Sequence, residues 1–175
     1  MRVASQPGLP SPTAARAVRS RVDTGKEDAD MNRILSAAVL AVFTSAAAAE
    51  PVIVPTSGSV DQTVGDLQAA VEAQGGRVFG VIDFGGAVRS VGSDVGDVQL
   101  VIFGDPRIGA QALSADRMAA LDLPGKVLVY DTPAGSEMAY EQPEEMLAEW
   151  NIPPDAPVLT MMSRVLEAIT SAATR

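Results

Sequence analysis

Four turn-forming residues, Thr132 to Gly135 (TPAG), separate two short β-type segments of this chain. Lys126 to Tyr130 (KVLVY) is rich in β-branched and aromatic residues, and Ser136 to Tyr140 places Met138 and Tyr140 on one face. A turn of this length and composition predicts a hairpin, and therefore an antiparallel pair of strands. Because doubly wound α/β folds are built on parallel strands, this feature favours the α+β class with an antiparallel or mixed sheet and packed helices.

The other predicted elements fit the same class and give the order β-α-β-β-α-β-β-α-α. The first helix has Ser59 as its N-cap and Gln62 three positions on, which is a capping-box pattern, and Gly75-Gly76 ends it. The segment from Gly85 to Gly96 is glycine-rich and polar, with room for one helical turn. The further predicted strands are Val52–Val54, Arg77–Phe84 and Val98–Phe103, and the last two helices are Pro143–Trp150 and Pro157–Ala173, the latter with a buried stripe of Val158, Met162, Val165, Ile169 and Ala172.

The N-terminal part has the layout of a secretory signal. Met31 and Arg33 precede a ten-residue apolar run, 34–43, and a run of small residues ends at Ala49. We expect residues 31–49 to be a signal peptide that sends the protein to the periplasm or the exterior, and residues 50–175 to form a single domain. Residues 1–30 are rich in Ser, Pro, Arg and Asp, so we expect a disordered segment or one upstream of the true start at Met31.

The charge of the expected mature chain limits its partners. Six of the 13 basic residues and four of the 22 acidic residues precede Glu50, which leaves 7 and 18 and a formal net charge of −11. Such acidity argues against nucleic acid or an anionic membrane surface as the partner.

The chain contains no cysteine and no histidine. Thiolate catalysis, the Ser-His-Asp triad, zinc sites built on His or Cys, and haem with a His or Cys ligand are therefore excluded. We expect neither a metal nor a cofactor. Met138, Met146, Met161 and Met162 fall within apolar periodicities and are interpreted as core residues, although methionine could also capture Cu(I).

The segment Gly104 to Gly109 has the glycine spacing of a phosphate-binding loop. Ala110 and Gln111 stand where that loop requires Lys and Ser or Thr, and Asp105 puts a carboxylate where phosphate would lie. The residues instead predict a strand-to-helix corner, in which Gly104 turns the chain, Asp105 caps the next helix and Pro106 is its first residue.

Three ordered segments, LVIFGDPRIGAQAL, LDLPGKVLVYD and YEQPEEMLAEWNI, resemble the family called domain of unknown function 302. The family pattern at the corner is F-G-N-P, so Asp105 replaces an Asn. The resemblance covers about Thr56 to Ala173 and implies an antiparallel, barrel-like sheet built from two β-α-β-β halves, often in a homodimer. It implies no established activity.

Four residues are candidates for a ligand site: Asp105, Arg107, Lys126 and Asp131. Lys126 is the only lysine after Glu50, and the aspartates lie at strand ends. One hypothesis is a non-enzymatic module that binds a small molecule or a protein. The alternative is a small cofactor-independent enzyme that uses carboxylates and Lys126. A purely structural interpretation is that the aspartates, Asp83 included, cap helices or close turns and that Arg107 pairs with Asp105.

Overall fold

The structure, a computed structural model of the 175-residue chain, describes residues 50–174. The expected upstream segment and signal peptide lie outside these residues. The strands are β1 (Val52–Thr56), β2 (Arg77–Asp83), β3 (Val98–Gly104), β4 (Gly125–Thr132) and β5 (Gly135–Tyr140), and the helices are α1 (Val60–Ala73), α2 (Phe84–Ser90), α3 (Pro106–Ala115), a 3₁₀ helix (Arg117–Leu121), α4 (Pro143–Met146) and α5 (Pro157–Ala172). No helix in this part of the chain combines the length and the apolarity that crossing a membrane requires.

The five strands form one sheet in the order β1-β5-β4-β3-β2, and every neighbouring pair is antiparallel. The β4–β5 hairpin pairs Thr132 with Gly135 and Asp131 with Ser136, as the turn composition predicts. The α+β class with an antiparallel sheet and packed helices is therefore confirmed. The sheet is open rather than closed into a barrel, since β1 and β2 form its two edges.

The two β-α-β-β halves share a strand. The first is β1-α1-β2-β3, interrupted by the short α2, and the second is β3-α3-β4-β5. One strand serves both halves, so the sheet has five strands where two separate halves would supply six.

Helix α1 and helix α5 cover one face of the sheet, which we call the inner face. The predicted capping box is present: the Ser59 hydroxyl accepts from the Gln62 amide and the Gln62 side chain accepts from the Ser59 amide. Strand residues at alternate positions point towards these helices. The main hydrophobic cluster includes Val64, Leu67, Val71, Val101, Phe103, Val127, Val129, Met138, Tyr140, Leu166 and Ile169.

A second hydrophobic cluster joins α3, the 3₁₀ helix, the segment after α4 and the start of α5. Its buried members are Ala112, Ala119, Leu147, Ile152, Val158 and Leu159. The Trp150 indole nitrogen donates to an Asp122 carboxylate oxygen at 2.6 Å, which fixes the chain as it leaves α4. Because α5 packs against both clusters, its buried surface is wide.

Three local predictions need correction. Phe84–Ser90 is a seven-residue helix, longer than the single turn for which the Gly85–Gly96 segment was predicted to have room, because the Asp83 carboxylate accepts from the Gly86 amide at 2.7 Å and caps it. The helix predicted to reach Trp150 ends at Met146, where the chain turns into the second cluster. In α5 the buried stripe includes Leu159 and Leu166, and Ala172 is exposed.

Candidate functional site

The corner between β3 and α3, Phe103 to Pro106, has the predicted geometry. The Asp105 carboxylate accepts from the Arg107 amide at 2.8 Å, and Pro106 occupies the first helical turn. Asp105 therefore satisfies a helix N-terminal amide that would otherwise lack a partner.

The Arg107 guanidinium also binds Asp105. Its Nη2 lies 2.6 Å from Oδ2, and its Nε donates to both carboxylate oxygens at 3.0 and 3.1 Å. These hydrogen bonds hold the pKa of the Asp105 carboxyl below its usual value and raise the pKa of Arg107. The predicted pairing of Arg107 with Asp105 is confirmed, and it keeps the Asp105 carboxyl ionised at neutral pH.

An Asp105→Asn substitution tests this assignment through pH. Asn caps a helix as well as Asp does, so the change removes mainly the ion pair. Because folding lowers the Asp105 pKa, the stability that this group adds is present above its unfolded pKa and is lost as pH falls through the folded pKa. We expect the wild type to have a slightly higher melting temperature than the variant at pH about 7. This difference should narrow by pH about 3, which lies below the pKa of about 3.9 of an unperturbed Asp carboxyl.

Circular dichroism melts of both proteins at the two pH values measure this difference. Arg107→Gln, which removes the partner instead, should give the same pH dependence. A difference between wild type and Asp105→Asn that stays constant with pH contradicts the ion-pair assignment.

A cleft of about 480 Å³ lies beside this corner, where the two hydrophobic clusters meet. Walls from the main cluster include Val71, Phe103, Tyr140 and Leu166, and walls from the second cluster include Ile108, Leu123, Met146 and Met162. The lining continues around the end of the sheet to Leu100, Leu128 and Ala139 on its other face. The cleft is thus predominantly apolar.

Few polar groups reach the cleft. Asp105, Gln74, Lys126 and Glu141 line it, and the last three are exposed. Tyr140 lines it as well, and burial raises the pKa of its phenol, so the hydroxyl is neutral at physiological pH. Within residues 50–174, Lys126 forms no ion pair.

The four candidate site residues do not come together. Asp105 and Lys126 line the cleft, whereas Arg107 is turned to Asp105 with its side chain 78% exposed. Asp131 lies at the opposite end of β4 from Lys126, about 17 Å away at the usual rise along a strand. There its carboxylate accepts from the Asp97 amide at 3.1 Å and ties the loop before β3. The structural interpretation therefore holds for the three aspartates, which cap helices or close turns: Asp83, Asp105 and Asp131.

The apolar lining of the cleft was not among the sequence-predicted site residues, and part of it comes from α3. Ala112 is fully buried, but Ile108 and Leu113 line the cleft and Leu113 is 40% exposed. The available signal was the breadth of the apolar surface on α3, which exceeds what one packing face requires.

Similarity to known proteins adds a family and a fold. The chain is 30% identical over 84 residues to "Fluoride-specific ion channel FluC 1" of Brucella suis, which covers 48% of this chain and 33% of that protein. A protein of the same name from Brucella abortus matches at 30% identity over 84 residues, with 48% and 31% covered. The chain thus spans about a third of the length of the curated relatives it matches.

A solved structure, the uncharacterized conserved protein DUF302 from Bacillus stearothermophilus, superposes with a TM-score of 0.65 at 17% identity, covering 71% of this chain and 98% of that one. At this identity the likeness establishes the fold. The sequence profile of the family described as "Domain of unknown function DUF302" matches residues 52–169. The chain therefore belongs to the DUF302 family.

Proposed function

We propose that this domain is a non-enzymatic binding module whose cleft takes an uncharged, apolar small molecule. The observation that carries the proposal is the cleft itself: about 480 Å³, with walls from two hydrophobic clusters. That volume lies within the range of about 300–1,000 Å³ typical of small-molecule sites, which are also mostly apolar.

The charges around the cleft favour a neutral ligand. Asp105 is already paired with Arg107, and Lys126 and Glu141 are solvent-exposed groups of opposite sign. A buried ionic ligand would need a desolvated partner of opposite charge, and the lining offers no such group among residues 50–174. The Tyr140 phenol is neutral, so it adds no charge to the lining.

The alternative of a small enzyme loses support from the same geometry. It needs Lys126, Asp105 and Asp131 around one reacting centre. Asp105 and Lys126 both line the cleft, but Asp131 is at the far end of β4 and Asp105 is held by Arg107, so the three groups do not surround one centre.

The name of the Brucella relatives raises fluoride as a ligand. A small anion requires converging hydrogen-bond donors or cations to replace its hydration shell. The cleft offers mainly hydrocarbon, so its chemistry favours an apolar ligand over an anion of this kind.

Native mass spectrometry of the purified protein tests the proposal, together with titration by a neutral aromatic fluorophore, N-phenylnaphthylamine. We expect a retained small molecule or saturable fluorophore binding at micromolar concentration, competed by an uncharged long-chain alcohol. Absence of both, in a protein whose circular dichroism shows it to be folded, would remove the cleft as a binding site.

We also propose that the module works outside the cytoplasm. The proposal is supported by the charge, apolar run and small residues of 31–49, which match the layout of a secretory signal. Expression of the full chain in a bacterial host should yield a periplasmic protein whose N-terminus is Glu50. N-terminal sequencing of the periplasmic protein measures the cleavage site directly. A product that is absent from the periplasm and whose N-terminus lies at or before Met31 contradicts export. An Ala47→Arg, Ala49→Arg double variant, which spoils the small-residue cleavage pattern, should accumulate unprocessed.

A further inference from the structure

The side chain of Phe79 forms an exposed part of the cleft wall. Among the residues that the structure describes, three aromatic side chains line the cleft: Phe79, Phe103 and Tyr140. Phe103 and Tyr140 are buried in the main hydrophobic cluster, whereas Phe79 is 53% exposed and belongs to neither cluster. The Phe79 ring therefore has apolar surface that the core does not use.

A β-bulge in β2 places Phe79 at the cleft. In the ladder between β2 and β3, Val78 pairs with Phe103 and Gly80 pairs with Ile102, so Phe79 is an extra residue without a partner in β3. A bulge interrupts the alternation of a strand and re-aims side chains, and bulges are frequent beside active sites. The bulge thus lets the Phe79 ring lie over the end of β3.

Gly104 at the end of β3 gives the ring its place. A Cβ built on Gly104 would lie 3.2 Å from Cε2 of Phe79 and 3.6 Å from Cβ of Pro124, so any larger residue at 104 would crowd the ring. Glycine within a strand often marks a position that a ligand or another part of the chain approaches closely. The absence of a side chain at Gly104 therefore allows Phe79 to rest on the backbone beside the Asp105 corner.

The rest of the Phe79 ring is open. The ring atoms nearest to Gly104 are Cε2 and Cζ, which lie at one edge of the ring, and about half of the residue is exposed to solvent. The next residue, Gly80, has no side chain to shield the ring, and a Cβ there would meet no atom within 4 Å. A ring held at one edge and open elsewhere is a surface on which a second ring can pack, in the offset or edge-to-face arrangement that aromatic pairs prefer.

We infer that the ligand of the cleft carries an aromatic ring that packs on Phe79, and that Phe79 selects aromatic over aliphatic ligands. The inference rests on the proposed function, because it names the chemical class of the molecule that the apolar cleft takes. The remaining apolar lining is mainly aliphatic and accepts an alkyl chain as well as a ring. An aromatic pair adds about two- to tenfold in affinity beyond the area that it buries, so one ring on the wall is enough for a measurable preference.

Phe79→Leu tests this selectivity with two probes. Leucine keeps an apolar side chain at position 79 and removes the ring. We expect the dissociation constant of N-phenylnaphthylamine, the aromatic probe, to rise by about fivefold. The inhibition constant of decanol, the aliphatic probe, should change by less than about twofold, because an alkyl chain gains nothing specific from a ring. Fluorescence titration measures the first constant, and displacement of the fluorophore by decanol measures the second.

Phe84→Leu is the matched control. Phe84 is also an exposed phenylalanine, at 42%, and it directly follows β2, but it does not line the cleft. Both constants should keep their wild-type values in this variant. Phe79→Tyr, which keeps a ring at position 79, should retain the preference for the aromatic probe. Circular dichroism shows that each variant is folded.

The outcomes separate this inference from the proposed function. A wild type that binds both probes and a Phe79→Leu variant that weakens both equally, or neither, would overturn the selectivity and leave the cleft as a binding site. A folded wild type that binds neither probe would overturn the proposed function and the inference together. Nuclear Overhauser contacts between the fluorophore and the Phe79 ring test the packing in the wild type without any substitution. Their absence from a saturated complex contradicts the inference.

Discussion

Gly109→Phe should abolish most of the binding of N-phenylnaphthylamine while the protein stays folded. Gly109 lies within α3 and lines the cleft, and a Cβ added there meets no atom within 4 Å. The first atom of a side chain at this position therefore enters open space beside the cleft. We expect binding to weaken by at least about tenfold, because the ring occupies volume that the ligand needs.

The same substitution should not cost stability. Glycine inside a helix is about 1 kcal/mol less favourable than alanine, and phenylalanine lies between the two. We therefore expect the free energy of unfolding to rise by a few tenths of a kcal/mol. Urea denaturation followed by circular dichroism measures it, and fluorescence titration of the same samples measures binding.

Gly65→Phe is the matched control for this variant. Gly65 also lies within a long helix, α1, and an added Cβ there also meets no atom within 4 Å, but the residue is exposed and does not line the cleft. Its stability should change by a similar amount and its fluorophore binding should remain. Equal binding losses in both variants would indicate a nonspecific effect of an added aromatic ring. Undiminished binding in Gly109→Phe would place the ligand elsewhere.

Features fixed by a few neighbouring residues could be predicted from the sequence. The capping box of Ser59 and Gln62, the Asp105 cap with Pro106 and the β4–β5 hairpin are each set by contacts within about five positions. Their energetics depend on local backbone groups, so residue type and spacing are sufficient. Asp83 follows the same rule. Its capping role could be predicted from its position at the end of a strand, but the seven-residue length of α2 could not.

Features that depend on the register between distant segments could not be predicted from the sequence. The cleft forms where Val71, Leu123 and Met162, from separate elements, approach one another. Each of these residues taken alone has the pattern of an ordinary core position. The apolar row on the face of the sheet opposite α1 and α5 was hidden for a similar reason. The register of four ladders brings its members together: Ile82, Leu100, Leu128, Ala139 and Ile53. A hydrophobic strand by itself predicts burial without indicating what covers it.

Leu67→Ala should produce the largest loss of stability among these variants. Leu67 is fully buried in the main cluster, and it lies on α1, the helix that connects the edge strands β1 and β2 and contacts strands β2 to β5 and helix α5. Removing its side chain leaves a hole that a helix packed on several strands cannot close by a local shift. We expect the free energy of unfolding to fall by about 3 kcal/mol, within the range measured for buried leucines. A domain of this size has about 5–15 kcal/mol in total, so the change is a large fraction.

Leu121→Ala is the control for that result. Leu121 is 69% exposed, so its truncation should cost less than about 0.5 kcal/mol. Urea denaturation of the wild type, Leu67→Ala and Leu121→Ala gives the transition midpoints from which the free energies of unfolding are compared.

Leu67 does not line the cleft, although Val71, one turn further along α1, does. The folded fraction of Leu67→Ala should therefore bind the fluorophore with an unchanged dissociation constant. A loss of binding in a fully folded Leu67→Ala sample would mean that the cleft depends on the exact position of α1, and a cost below about 1 kcal/mol would mean that α1 does not anchor the sheet.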